Sequence, residues 1–344
     1  MTVISNQHLK QFEQQGYVVV KGLLDINKDI QPVREEYMSK VEELEKQWYD
    51  KGIISKYYNK LPFEKRLGQL VIDTEGKLLP FLDIALKSKD LGTQHPNIHH
   101  GPAVFGLLAN PKVLDAVERF IGPEIYVNPL NRLRIKPPER LLPEDLRKMD
   151  QISKTFWHQD QGVVREDADD TDLLTVWIPL TNATPENGCL AVMPGSHKDG
   201  LKLHCFTEWR EKGIRSDLLQ DFIPMPMKPG DVYFQNKFTV HGSVSNSSKD
   251  DVRISFDLRY QPIGQPTGVP VGPPTPKPVD VSQEPLKWPG FVARSLKNPE
   301  SVLTDNEEWG RIWAKTREDI ISMRAHVKTN RWDPFDPDCA PNTD

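Results

Sequence analysis

The chain has 344 residues, of which 37% are hydrophobic and 27% charged, and its formal net charge is -5. This composition is typical of a globular protein with a sizeable core, and it excludes the disordered and collagen-like classes. The small acidic excess does not favour a nucleic-acid partner. No basic segment followed by an apolar run opens the chain, and no stretch of about 18 apolar residues occurs, so we expect a soluble protein without a membrane span.

The three cysteines, Cys189, Cys205 and Cys339, are widely separated in the sequence. Their odd number and their spacing predict neither a disulfide framework nor a cysteine zinc site. A chain without disulfides fits a reducing compartment, so we expect a cytoplasmic protein.

The first elements that the sequence predicts are a helix, a strand and a second helix. Either Ser5 or Asn6 is placed to cap a helix that runs to Gln15, and Gly16 is placed to end it. Residues 17–20 are apolar and β-branched or aromatic, which predicts a strand. Apolar residues at helical spacing then predict a helix over 30–48 that packs against the sheet.

The middle of the chain changes from helices to short strands. An Asn-Pro pair at 110–111 opens a helix that Gly122 closes, and a strand is predicted over 124–135. After Thr155, turns separate short β-rich runs, which predicts a jelly roll or barrel and not a βαβ fold. These runs are Leu173 to Leu180, Cys189 to Met193, Asp231 to Phe234 and Arg253 to Tyr260.

The C-terminal region predicts a covering segment and a final helix. Nine prolines between Pro262 and Pro289 favour an extended segment, and a helix is predicted over 307–328. We expect one domain over 1–344, with a mainly β jelly-roll core and flanking helices. Its parts are an N-terminal helical and strand region at 1–125, a core with the metal site at 126–262, and a cover with the last helix at 263–344.

The segment Phe156-Trp157-His158-Gln159-Asp160 carries the strongest chemical signal. If it is a strand, residues i and i+2 point to one face, so His158 and Asp160 converge. Two histidines and one carboxylate form the facial triad of oxygen-activating iron enzymes, and His241 follows a strand signal at 229–234. Taken alone, a His-x-Asp tripeptide is more often a surface pair.

An arginine twelve residues after His241 favours a metal site over a surface pair. The planar fork of Arg253 can bind a carboxylate through two hydrogen bonds, as the distal end of 2-oxoglutarate requires. Alternation along the predicted strand places polar residues on one face, either lining a cavity or exposed to solvent. These residues are Arg253, Ser255, Asp257 and Arg259.

Several other polar residues admit more than one interpretation. His197 follows a Pro-Gly turn, and we interpret it as part of a loop and not as a ligand. The histidine-rich loop with His95, His99 and His100 matches no standard zinc spacing, so it is either an ordinary loop or a pocket wall. The acidic run at 165–172 is either a solvated loop or a mobile cover over the site.

Two further arginines lie on the predicted strand over 124–135. Arg132 and Arg134 alternate with Leu133 and Ile135, so both point to the same face. Either arginine could contact the substrate or cosubstrate, and exposure to solvent is the alternative.

Taken together, these motifs resemble the phytanoyl-CoA dioxygenase family. The resemblance is specific from about 128 to 260 and weaker before that. The motifs occur in the family's usual order: His158-Gln159-Asp160, Trp177-Ile178-Pro179-Leu180-Thr181-Asn182, Asn187-Gly188-Cys189-Leu190, Pro194-Gly195-Ser196-His197, Pro229-Gly230-Asp231 and His241-Gly242-Ser243 through Arg253.

The resemblance implies a double-stranded β-helix that couples oxidative decarboxylation of 2-oxoglutarate by O2 to hydroxylation of a C–H bond. It implies that His158, Asp160 and His241 bind Fe(II), and that Arg253 binds the distal carboxylate of 2-oxoglutarate. Trp177 and Ser243 match family positions near the cosubstrate. Because halogenating relatives lack the aspartate, Asp160 indicates hydroxylation and not halogenation.

We therefore expect an Fe(II)- and 2-oxoglutarate-dependent dioxygenase of a small organic metabolite, with no nucleic-acid or membrane partner. A fatty acyl-CoA is not expected, because the chain ends without a peroxisomal signal and the acidic run follows the metal motif. One alternative is a jelly-roll protein that binds a metal or ligand without turnover. Another is a metal-dependent jelly-roll enzyme of non-oxidative type, such as an isomerase.

Overall fold

A computed structural model describes residues 3–86, 97–149, 151–206, 212–269, 287–323, 331–332 and 339. Over these residues the chain folds into antiparallel sheets flanked by helices. None of the helices in these ranges has the length and apolar character that crossing a membrane requires.

Nine α-helices occur among the described residues, and three of them are single turns. Their bounds are α1 Asn6–Gln15, α2 Gln31–Asp50, α3 Phe63–Asp73, α4 Leu79–Leu82, α5 Pro102–Leu108, α6 Pro111–Ile121, α7 Glu144–Arg147, α8 Asp160–Val163 and α9 Asn306–Met323.

Twelve strands occur in the same ranges. Their bounds are β1 Tyr17–Val20, β2 Ile125–Val127, β3 Arg132–Lys136, β4 Leu174–Pro179, β5 Leu190–Val192, β6 His204–Phe206, β7 Lys212–Ile214, β8 Ile223–Met225, β9 Val232–Asn236, β10 His241–Ser243, β11 Arg253–Pro262 and β12 Phe291–Arg294.

The N-terminal elements form as their sequence predicts. The Ser5 hydroxyl accepts a hydrogen bond from the His8 amide at the start of α1. Gly16 ends α1 with φ at 82°, a left-handed conformation that glycine adopts without steric penalty. The chain then enters β1, so the predicted helix-then-strand opening is confirmed.

Two antiparallel sheets make up the core of the molecule. The larger one has seven strands in the order β1-β9-β4-β11-β2-β12, with β3 also paired to β11. The smaller one has the order β10-β5-β8, and a separate hairpin joins β6 to β7. Side chains of both sheets meet in one apolar cluster that includes Trp177, Leu190 and Tyr233. This arrangement confirms the predicted jelly-roll core with flanking helices.

The longest strand, β11, separates the main hydrophobic core from the polar interior. One face of β11 carries Ile254, Phe256, Leu258 and Tyr260, all buried in the cluster that includes residues of α2, α3, α5, α6 and α9. The opposite face carries the polar residues that the alternation predicts, and these are also buried. Solvent exposure of that face is therefore excluded.

The structure differs from the sequence predictions in several elements, among them α5, β8 and β12, which were not predicted. The strand predicted over 124–135 is two strands, β2 and β3, because the chain turns between 128 and 131. The predicted strand at 156–160 is wrong: His158 makes an isolated bridge and Asp160 begins α8. Helix α3 was not predicted, although its buried residues recur at helical spacing.

The predicted absence of a disulfide is also wrong. Cys205 and Cys339 are joined by a disulfide across 134 residues of sequence, and Cys189 is a buried thiol. Sequence spacing gave no sign of this pair, because tertiary structure alone brings Cys339 to the edge of the β6–β7 hairpin. The argument for a reducing compartment from the cysteines therefore no longer holds.

The predicted C-terminal elements are described in part. Helix α9 forms over Asn306–Met323, while residues 324–330 lie outside the described part of the chain. Most of the predicted proline-rich cover, at 270–286, also lies outside it. Strand β12, which follows that segment, pairs with β2 at the edge of the larger sheet.

Candidate metal centre

Three side chains from different parts of the chain converge between the two sheets. His241 is the first residue of β10, and its backbone exchanges two hydrogen bonds of 2.9 Å with His158. Asp160 follows two residues later, at the start of α8. One ligand atom from each residue lies within 4.8 Å of the others, and all three residues are buried. Among the described residues, only this group of three or more could hold a metal ion.

Backbone carbonyls orient both imidazoles. Nδ1 of His158 lies 2.8 Å from the Phe156 carbonyl, and Nδ1 of His241 lies 3.0 Å from the Thr239 carbonyl. Because a carbonyl only accepts, each Nδ1 carries the proton and each Nε2 keeps a lone pair. This is the tautomer that a metal-binding histidine needs, with its second nitrogen held by another group.

Asp160 is surrounded by donors. Its Oδ1 accepts from the Arg259 guanidinium, and its Oδ2 accepts from the Thr175 hydroxyl. The Gln235 side-chain amide donates to Oδ2 over 3.0 Å and also lies 3.0 Å from Nδ1 and 3.2 Å from Nε2 of His241. The carboxylate is therefore fixed in place by three strands of the larger sheet, β4, β9 and β11.

The electrostatics of this cluster favour a carboxylate and two neutral imidazoles. Burial alone would raise the pKa of Asp160, but the neighbouring Arg259 guanidinium opposes this and helps to hold that pKa well below its ordinary value. Burial lowers the pKa of His158 and of His241. All three side chains are therefore in the protonation states that a cation requires of its ligands.

Arg253 is fully buried on the polar face of β11. Its Nε donates to the Gly188 carbonyl over 2.9 Å, and its Nη1 donates to the Ser255 hydroxyl over 2.7 Å. Burial lowers the pKa of Arg253 to about 10, so the side chain stays charged at neutral pH. The guanidinium lies over the Trp177 ring, 5.6 Å from its centre.

Four polar atoms lining the pocket next to the triad have no hydrogen-bond partner within the described part of the chain. They are Nε1 of Trp177, Nη2 of Arg253, Oδ1 of Asp257 and Nε of Arg259. A buried donor or acceptor without a partner is unfavourable, so such atoms gathered in one pocket indicate a ligand-binding site. Three of the four are donors, which suits an anionic ligand.

Ser243 was singled out from the family motif, and the structure places its hydroxyl beside a buried lysine. Lys136 Nζ donates to the hydroxyls of Ser243 and Thr155, each over 2.7 Å. Ser243 Oγ also accepts from the Thr155 amide over 2.8 Å. Sequence analysis missed Lys136 and Gln235, although both follow the strand alternation that places Arg134 and Tyr233 on the inner face.

The two arginines of β3 have different environments. Arg134 lines the pocket and forms an ion pair with Asp257. Arg132 donates to the Asn131 carbonyl over 2.9 Å and is not among the residues lining that pocket. The predicted ligand contact therefore has structural support for Arg134 alone.

Other residues from the sequence analysis lie away from the triad. His197 hydrogen-bonds to the Glu13 carbonyl over 3.0 Å, as expected of a loop residue. His99 pairs with Glu36, and His100 lies over Gly310 of α9, so neither contributes a wall to the pocket. His95 lies outside the described residues.

The acidic run at 165–172 is held by basic side chains. Lys237 Nζ donates to the carbonyls of Asp169 and Thr171 over 2.6 and 2.7 Å. Nη2 of Arg331 donates to both carboxylate oxygens of Asp169, and Lys287 lies 3.8 Å from Asp167. Residues 166–168 form a 3-10 turn, with Ala168 buried beneath it.

Comparison with known proteins yields relatives with related chemistry. Phytanoyl-CoA dioxygenase from Bos taurus is 25% identical over 255 residues, which are 72% of this chain and 66% of that protein. The 1-deoxypentalenic acid 11-beta-hydroxylase of Streptomyces arenae is 31% identical over 172 residues, or 46% of this chain and 57% of that protein. The chain thus spans less than two thirds of the length of these relatives.

Comparison with solved structures supports the fold assignment. A structure described as a non-heme monooxygenase, ThoJ in its apo form, aligns with a TM-score of 0.51 and 16% sequence identity. The alignment covers 92% of this chain and 97% of that one. The family model for phytanoyl-CoA dioxygenase matches residues 12–255, which include all three residues of the triad and Arg253. The chain therefore belongs to the phytanoyl-CoA dioxygenase (PhyH) family.

Proposed function

We propose that this protein is an Fe(II)- and 2-oxoglutarate-dependent dioxygenase that hydroxylates a C–H bond of a small organic metabolite. The observation that carries the proposal is the buried convergence of His158, Asp160 and His241, with each imidazole Nδ1 facing a backbone carbonyl. Family membership supports the same class of chemistry.

The donor set fits iron better than a structural metal. Two imidazole nitrogens and one carboxylate are the facial triad of Fe(II) oxygenases, whereas structural zinc takes four protein ligands, commonly with cysteine. When bound there, Fe(II) with 2-oxoglutarate and O2 supplies the oxidising chemistry. The protein's part is to hold two neutral imidazoles and one ionised carboxylate in a fixed arrangement, which Phe156, Thr239 and Arg259 do.

We assign the cosubstrate to the donors beside the triad. Nη2 of Arg253 and Nε1 of Trp177 have no partner among the described residues, and the arginine lies over the indole ring. These donors suit the distal carboxylate of 2-oxoglutarate, because charge-assisted bonds to arginine are strong and directional. Ser243 accepts a hydrogen bond from Lys136, whose ammonium is a second cation on the strand paired with β11, opposite Arg253.

The remaining polar lining suits a small hydrogen-bonding substrate. Oδ1 of Asp257 can accept from a hydroxyl or amine, while Arg134 holds the other oxygen of that carboxylate. This small polar lining, and not the acidic run, argues against an acyl-CoA, because Asp169 and Asp167 of that run pair with Arg331 and Lys287. We therefore favour a free small metabolite as the substrate.

Oxygen consumption and succinate release separate this function from its alternatives. The purified protein, loaded with Fe(II) under nitrogen and then given O2 and 2-oxoglutarate, should release succinate slowly without substrate. Arg253→Ala at the same iron content is the control and should require more 2-oxoglutarate. Iron binding without any succinate would support a non-catalytic protein, and substrate conversion under nitrogen would support a non-oxidative enzyme.

A panel of candidate substrates tests the proposed substrate class, and it should contain both kinds of compound after which the relatives are named. One relative is named for 1-deoxypentalenic acid and another for phytanoyl-CoA. We expect a free acid or another small metabolite to stimulate succinate release and to gain one oxygen atom by mass spectrometry. Strong stimulation by an acyl-CoA that is lost when the CoA is removed would contradict the proposed substrate class.

A further inference from the structure

The C-terminal residues Arg331, Trp332 and Cys339, called here the C-terminal strap, contact the segment that carries Asp160. Arg331 Nη1 donates to the backbone carbonyl of Gln161 over 2.8 Å, and Trp332 Nε1 donates to the backbone carbonyl of Gly162 over 2.7 Å. The strap lies beyond residue 255, where the family model ends. Sequence analysis gave these residues no role.

These two bonds meet a specific need of helix α8. A helix leaves its last carbonyls without intrahelical partners, and in a helix of one turn this applies to every carbonyl. The strap supplies donors to two of them, and one donor is the cationic guanidinium, which is favoured at a helix C-terminus. Asp160 begins that same turn, so the strap stabilises the helix that presents the carboxylate.

A second contact links the strap to the residue between His158 and Asp160. The Trp332 ring stacks on His204, with 5.2 Å between ring centres. Nε2 of His204 accepts from the backbone amide of Gln159 over 2.9 Å, while Nδ1 of His204 donates to the Lys202 carbonyl. His204 also leaves no room for a side chain at 162, because a Cβ there would lie 2.3 Å from its ring.

The disulfide anchors the strap at this position. Cys205 follows His204 in β6, and it is bonded to Cys339. The carboxylate of Asp169 holds the strap from the other side, since both of its oxygens accept from Nη2 of Arg331. The strap therefore contacts the segment 159–169 at both ends, through His204 at Gln159 and through Arg331 at Asp169.

We propose that the C-terminal strap is a positioning element for Asp160, and that the Cys205–Cys339 disulfide keeps it in place. The inference rests on the proposed function in taking Asp160 as an iron ligand. Arg331 and Trp332 act through α8 and do not touch the reacting atoms. Reduction of the disulfide releases the strap, loosens α8 and weakens metal binding.

The reducing step needs an external dithiol. One thiolate of the dithiol attacks a sulfur of the Cys205–Cys339 bond, which breaks, and a mixed disulfide forms. The second thiol of the reagent then displaces the protein thiol and closes its own S–S bond. Two electrons and two protons pass to the protein, which ends with two cysteine thiols.

Hydrogen exchange on the metal-free protein tests the strap without relying on iron chemistry. We expect dithiothreitol to raise the exchange rate of peptides covering 159–171 about tenfold, the equivalent of about 1.4 kcal/mol, and to leave β11 unchanged. Cys339→Ser should exchange at the faster rate with or without the dithiol, because Cys205 then has no partner. Equal exchange in oxidised protein, reduced protein and Cys339→Ser would overturn the tether, as would free thiols at both positions in air-oxidised protein.

Equilibrium titration with Co²⁺ tests the positioning role. Arg331→Gln and Trp332→Ala should each weaken Co²⁺ binding several-fold, by roughly the contribution of one hydrogen bond. Trp332→Phe keeps the stack on His204 and loses the donor, so it should fall between wild type and Trp332→Ala. Arg311→Gln, an exposed arginine on α9, is the matched control and should bind as wild type does.

The two experiments separate the strap from the proposed function. If wild-type protein binds Co²⁺ but the three strap variants bind it equally well, the positioning role is wrong and the metal site stands. If wild-type protein binds no metal, the proposed function fails. The exchange experiment then still decides whether the strap holds α8.

Discussion

The two histidines of the triad are held in different ways. His241 lies on β10, where three residues pair in register with β5. His158 and Asp160 lie on an irregular segment in which one backbone bridge to His241 precedes a single helical turn. That segment depends on side chains from distant positions, among them Arg259, Gln235 and His204.

This difference indicates which half of the site is robust. A strand within a sheet keeps its geometry through backbone hydrogen bonds that do not depend on the identity of neighbouring side chains. An isolated helical turn has little stability of its own and needs tertiary contacts. We therefore expect the geometry of the segment 158–163 to depend more on its neighbouring side chains than the geometry of β10 does.

The largest effect is expected from Asp160→Ala. This change removes a ligand and leaves the buried Arg259 without its carboxylate, which typically costs about 3–5 kcal/mol. His158→Ala and His241→Ala should also abolish metal binding, but with smaller losses of stability, because neither leaves a buried charge without a partner. Metal analysis and denaturant unfolding of all three variants are the measurements.

The double variant Asp160→Ala/Arg259→Met is the control for that prediction. Removing both charges should recover most of the lost stability without restoring metal binding, as expected for a coupled buried pair. Equal stability of Asp160→Ala and His241→Ala would mean that Arg259 finds another partner. Turnover in any of the three single variants would remove that residue from the triad.

The next effect in size concerns the two arginines of β11. Arg253→Ala should raise the 2-oxoglutarate requirement, because losing one member of a buried hydrogen-bonded charge pair costs about 2–5 kcal/mol. Arg259→Ala should instead weaken metal binding, since this guanidinium contacts Asp160. Succinate release over a range of 2-oxoglutarate concentrations, alongside Co²⁺ titration, separates the two outcomes. The opposite pattern would exchange the assigned roles.

The sequence predicted the regular half of the site well. Alternation along Arg253 to Tyr260 correctly separates core from pocket, because a strand fixes which face each residue occupies. The caps of α1 and α6 were also predicted, since Ser5 and Asn110 act on amides two or three residues away. Local rules suffice wherever the interacting groups are close in sequence.

The irregular half could not be predicted from local patterns. His158 and Asp160 converge, but not because they share a strand face, since Asp160 is turned inward by α8. The groups that hold this turn come from β4, β9, β11 and residues 331–332, so their positions follow only from the folded chain. The Cys205–Cys339 pair was missed for the same reason.

A moderate effect is expected from Gln235→Leu. Its amide contacts both Asp160 and His241, and groups that hold metal ligands commonly change metal affinity about 10- to 100-fold when removed. Gln235→Glu is the companion variant, because it keeps the shape and adds a negative charge beside the carboxylate. Co²⁺ affinity unchanged in Gln235→Leu would show that Arg259 and Thr175 suffice to hold Asp160.

The smallest effect is expected from Trp177→Phe, which removes one donor and keeps an aromatic ring under Arg253. We expect the 2-oxoglutarate requirement to rise by a factor of about 10, the equivalent of about 1.4 kcal/mol, which is near the lower end of the range for a hydrogen bond to a charged group, with the maximal rate unchanged. Trp309→Phe is a closely matched control. Trp309 is also buried and also has an Nε1 without a partner among the described residues, but it packs in the helical core beside Phe105. Both variants lose an indole N–H group, so a general effect of replacing indole by phenyl would appear in both. A change confined to Trp177→Phe would therefore place its donor against the cosubstrate, and equal 2-oxoglutarate curves for the two variants would remove it from that role.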